Sequence, residues 1–155
     1  MRLAPPLPTL LPREVLSGGL HTENYFFPAG TIIGVPIYTL QHNEEYFDQP
    51  FTYNPSRWLL HGSPGTREGE GVTADSLEQQ KKAFVPFSTG PRVCIGRNLA
   101  LMELEIILAR VLWLYNIRVE CGKEYLGVGR EGEYKIRDHF AASKDGPVLQ
   151  FQRRI

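Results

Sequence analysis

The chain has 155 residues, of which 42% are apolar, with 17 Lys plus Arg against 17 Asp plus Glu. That length supports one domain with a core, and the apolar fraction excludes a disordered tail. The balanced charge provides no strong field for nucleic acid or an anionic membrane, and two cysteines, Cys94 and Cys121, with no signal peptide before them make no disulfide framework.

From the start, Met1-Arg2-Leu3 runs straight into Pro5, Pro6, Pro8 and Pro12. The sequence reads as a chain entered midway, with Leu3 in the last turn of a helix that the prolines stop. Two short strands are expected, at 13–16 and 31–35, with a turn at Pro28-Ala29-Gly30 before the second. Residues 40–60 carry Tyr46, Phe47, Phe51, Tyr53 and Trp58 without a period, and read as a meander with buried rings. Residues 61–82 contain four glycines and no aromatic residue, and read as an exposed, mobile insertion without regular structure.

A loop at 84–96 leads into a helix from about Asn98 to Tyr115. That helix is apolar on nearly all sides, as in a helix buried inside a larger protein. Its apolar run is too short for a membrane span and carries Glu103, Glu105 and Arg110. A further strand is expected at 117–120. Lys144-Asp145-Gly146, between possible strands at 134–140 and 147–152, signals a hairpin. No internal repeat is present.

The loop around Cys94 carries the sharpest chemistry. A cysteine that ligates a metal does so as the thiolate, which the positive end of a helix and uncapped backbone amides favour. Small neighbours let a flat cofactor approach the backbone, and Gly90 and Gly96 flank Cys94. Arg92, two residues earlier, suits an anionic group on the same ligand. Taken alone, each residue has a plainer reading: Cys94 as an inert buried thiol, Phe87 as core packing, Arg92 as a solvated charge.

Taken together, Phe87-x-x-Gly90-x-Arg92-x-Cys94-x-Gly96, followed by Leu99-Ala100 and Glu103, resembles the haem-binding signature of the cytochrome P450 family. Further matches extend the resemblance over nearly the whole chain. Arg2 resembles the arginine of the family's Glu-x-x-Arg helix, whose glutamate falls before Met1. Pro28-x-Gly30-Thr31 resembles the turn before a family strand. His42 resembles the histidine of the His-Arg-Asp segment, with Asn43 and Glu44 following it here. Pro55-Ser56-Arg57-Trp58 resembles the Pro-Glu-Arg-Phe/Trp motif, with Ser56 in place of glutamate.

The resemblance implies an α+β chain forming the C-terminal portion of a mainly-α fold. Its parts would be the end of one helix, a small sheet, a meander, the cysteine loop, a long buried helix and a C-terminal hairpin. It implies haem b with the Cys94 thiolate as axial ligand. Phe87 would screen the sulfur, Arg92 would pair with a haem propionate, and Gly90 and Gly96 would give the macrocycle room. Arg13, on a strand beside the haem, and His42 are further candidates for contact with the cofactor. Arg2 and Arg57 would face each other without the glutamate, or else stand as solvated charges. The substrate pocket would draw on residues near 7–14 and 140–146. The complete protein would be a monooxygenase acting on a small apolar organic substrate, with electrons from a reductase. Eukaryotic members sit at the endoplasmic reticulum membrane through an anchor that this sequence does not include. The alternative is a truncated, catalytically silent chain.

Overall fold

The computed structural model describes residues 1–129 and 133–154. Strands β1 (Arg13–Glu14), β2 (Leu20–His21), β3 (Phe26–Phe27) and β4 (Ile32–Ile33) precede helix α1 (Ile37–Gln41). Next come a 3₁₀ turn at Pro55–Trp58, α2 (Ala74–Ala83), a second 3₁₀ turn at Gly90–Arg92 and the long α3 (Arg97–Leu114). The chain ends in β5 (Tyr115–Val119), β6 (Ile136–His139), β7 (Ala141–Lys144) and β8 (Leu149–Arg153). Helices and small antiparallel sheets are mixed, as the α+β reading anticipates.

β1 and β4 pair in the register Arg13↔Ile33, with β2 and β3 forming a hairpin between them. Gly30 adopts φ +82°, closing the turn that leads into β4. The first residues form bends and not the last turn of a helix. Pro5 steers Ala4 away from helical backbone.

Around α1 and the meander, burial is densest. Val15, Ile37, Phe47, Leu77 and Ala83 are buried, and Phe47 meets Trp58 edge-on at 6.1 Å. The expectation of buried meander rings holds for Phe47, whereas Tyr53 is 80% exposed. Arg2 and Arg57 are buried rather than solvated. Arg2 donates to the carbonyls of Gln41, Pro50 and Thr52, at 3.1, 2.6 and 3.3 Å. Arg57 donates to those of Asn54, Asp48, Gln49 and Thr52. The two guanidinium groups therefore share one acceptor, Thr52 O.

The stretch 61–82, expected to lack regular structure, forms most of α2. Thr73 Oγ1 accepts from Ser76 N as its N-cap, Asp75 sits in the first turn, and Lys81 and Lys82 sit in the last. Each of these favours a helix at its own end. The loop before α2 returns to the meander. Leu60 and Val72 form a bridge, and Ser56 Oγ donates to Glu70 Oε2 at 3.1 Å.

α3 matches the expected span to within one residue at each end, but no residue of it is buried. The expectation of a long buried helix is therefore met in helicity and not in burial, because the described chain packs little against it.

The hairpin predicted around Asp145-Gly146 lies elsewhere. β6 pairs with β7 across Phe140, and β8 pairs with β5, in the register Tyr115↔Arg153. Gly146 serves a close crossing instead. It has φ +96°, and a Cβ on it would press on the Leu126 carbonyl, while one on Gly127 would overlap the Asp145 carbonyl.

Candidate functional site

Cys94 lies between the 3₁₀ turn at Gly90–Arg92 and the N-terminus of α3. Its amide donates to Phe87 O at 2.9 Å and its carbonyl accepts from Arg97 N at 3.2 Å, so the loop is tied on both sides of the thiol. The thiol is exposed and Phe87 is half-buried. Val93 N donates to Gly90 O, closing the turn in which Gly90 adopts φ +71°. A Cβ at Gly90 would meet no atom within 4 Å, so glycine serves the backbone angle there and leaves the space above it open. Gly96 is the N-cap of α3 and offers no side-chain cap. The amides of Ile95 and Gly96 find no acceptor among the described residues. The positive end of an 18-residue helix thus begins three residues after an exposed sulfur.

Arg13 and Arg92 come together. Both line a cavity of about 730 Å³ between the β1–β4 and β2–β3 pairs, α1 and the cysteine loop. Its walls are apolar, including Leu20, Phe27, Ile33, Ile37 and Val85, and its lining contains Arg13, Lys82 and Arg92 but no carboxylate. Arg13 Nη1 donates to Pro12 O at 2.8 Å, which aligns the guanidinium from the strand end. Arg92 has no side-chain hydrogen bond among the described residues.

His42 does not line this cavity. Its Nδ1 lies 2.8 Å from Tyr38 O, and its ring stacks between Tyr38 and Phe51, at 4.1 and 4.9 Å. The structure thus gathers Arg13 and Arg92, holds Phe87, Gly90, Cys94 and Gly96 in one adjoining loop, and sets His42 in the packing behind α1. The third cation of the cavity, Lys82, falls in the stretch that reads as an insertion, and no motif marks it.

The residues present fit a haem. A flat apolar group with a carboxylate edge needs an apolar cavity with cations in its lining, and this cavity has both, while Cys94 belongs to the adjoining loop and not to the lining. The described residues contain no cluster of three or more His, Cys, Asp or Glu.

Comparison with known proteins agrees with this geometry. The family model described as Cytochrome P450 matches residues 1–125. The whole chain is 38% identical to the cytochrome P450 monooxygenase poxM of Penicillium oxalicum, covering 27% of that protein. A cytochrome P450 monooxygenase of Gibberella zeae is 40% identical over 99% of this chain and 35% of its own length. Another, apf8 of Gibberella fujikuroi, is 37% identical over 99% of this chain and 41% of its own length. The chain belongs to the cytochrome P450 monooxygenase family. It spans between about a quarter and under a half of the length of the curated relatives it matches.

Proposed function

We propose that this chain supplies the thiolate side of a haem monooxygenase, with Cys94 as the residue whose thiolate would hold the iron. The observation that carries the reading is the exposed Cys94 thiol at the N-terminus of α3, in a loop whose Pro91 and Arg92 line a cavity that Arg13 lines as well. When bound, the haem would supply activation of O₂ for insertion of one oxygen atom into a small, mostly apolar organic substrate, with electrons from a reductase.

The chain's own residues hold and tune that group. Cys94 would hold the iron through its thiolate, from a loop pinned by the backbone bonds Cys94 N to Phe87 O and Arg97 N to Cys94 O. Phe87 would limit water on the sulfur side once the group is bound. Arg13 and Arg92 would pair with its carboxylates and orient it. Gly90 and Gly96 keep the backbone free of side chains where the ring approaches. A complete protein of this kind would work at the endoplasmic reticulum membrane. No helix among the described residues is long and apolar enough to cross a membrane.

The test is a carbon monoxide difference spectrum of the haem-loaded, reduced protein. The expected result is the strongly red-shifted Soret band of thiolate ligation, lost in Cys94→Ser. An unshifted band in the wild type, or a shifted band that survives Cys94→Ser, would overturn the assignment of Cys94.

A second reading is a catalytically silent chain, favoured by the lack of any buried residue in α3. It predicts uptake of little or no haem by residues 1–155 alone.

A further inference from the structure

The cavity shared by Arg13 and Arg92 has a third wall. α2 ends against the cysteine loop, and Lys82, in its last turn, lines the same cavity as the two arginines. Arg13, Arg92 and Lys82 are the three cations among the residues lining this space, which include no carboxylate, a set that suits a ligand carrying more than one negative charge. Lys82 is not idle. Its Nζ lies 2.7 Å from Glu78 Oε1, one helical turn back, and its side chain is 75% exposed. That ion pair holds the ammonium at the end of the helix on a long, mobile stem, where it is easily exchanged. The helix is itself anchored. Thr73 caps it, and its buried face carries Leu77, Gln80 and Ala83.

We infer that Lys82 is a third cationic contact for the carboxylates of the bound haem, carried by α2 and kept beside the site by Glu78. The inference rests on the haem reading above. It adds a binding residue from a segment in which the family signature has no part. On binding, the Lys82 ammonium exchanges the Glu78 carboxylate for a carboxylate of the ligand, and no covalent bond changes.

The experiment is a spectrophotometric titration of the complete gene product carrying these residues, with haem and with haem dimethyl ester, whose carboxylates are blocked. Lys82→Met is expected to weaken haem binding about threefold, the scale of a solvent-exposed ion pair. Lys82→Arg retains the affinity. Glu78→Gln tightens binding about twofold by freeing the ammonium. With the diester, the wild type and all three substituted proteins bind alike. Because Lys82→Met and Glu78→Gln read the same contact in opposite directions, misfolding of one variant leaves the other decisive. Unchanged haem affinity in both variants overturns the inference, as does a loss in Lys82→Met that persists with the diester. If the wild type binds haem and only these differences are missing, the haem reading stands without Lys82. If the wild type takes up no haem, the haem reading fails and the inference fails with it.

Discussion

Arg2 and Arg57 bury two positive charges that carbonyl oxygens receive. Burial, and next to it the charge of Arg57, lowers the Arg2 pKa to about 10. Burial also lowers that of Arg57, while the Asp48 carboxylate opposes the shift. Both remain cationic at neutral pH, so their hydrogen bonds carry the cost of the buried charge. Arg57→Met leaves four carbonyls short of a donor. It should lower the unfolding free energy by about 2–4 kcal/mol, measured by urea denaturation. Arg57→Lys should recover only part, because a single ammonium lacks the planar fork. The alkaline limb has a definite sign. The folded-state pKa of Arg2 lies below its ordinary value, so the folded form releases the proton first and the penalty of the buried charge lifts as pH rises past about 10. Relative to Arg2→Met, the wild type should therefore gain stability above that pH in parallel pH-dependent denaturation curves. The motifs pointed to both arginines. Their burial was not legible, because it depends on which carbonyls the meander turns inward.

At the level of elements, α2 shows what composition conceals. Four glycines and many charges between 61 and 82 suggest a loop, yet Thr73, Asp75 and the paired Lys81 and Lys82 mark a helix by its ends. Thr73→Ala should cost about 1 kcal/mol, readable as a shift in the denaturation midpoint. The 145–146 turn failed as a hairpin signal for a different reason. An Asp-Gly pair reports a backbone that needs φ > 0, and the close crossing near Leu126 supplies that need as well as a hairpin does. Gly127→Ala, where the added methyl overlaps the Asp145 carbonyl, should separate the two segments and lower the melting temperature by several degrees in a thermal scan. The cysteine loop, by contrast, was legible residue by residue. Its tight turns, its glycines and the start of α3 are all set by local chemistry.

For the molecule as a whole, α3 separates helicity from burial. Periodicity and propensity set its ends almost to the residue. What covers it depends on neighbours, and Trp113 is 75% exposed while Ile106, Ile107 and Leu108 are each more than half exposed. Residues 1–155 alone should therefore bind a hydrophobic dye such as ANS strongly. Ile107→Glu with Leu108→Glu should reduce that signal while the helix persists by circular dichroism.

Thr52 offers both lone pairs of one carbonyl to two guanidinium groups. A peptide oxygen does not take up a proton across the range in which carboxylates do. Acidification therefore leaves the seven donated bonds in place, three from Arg2 and four from Arg57. The stitch between the first residues and the meander is thus acid-tolerant.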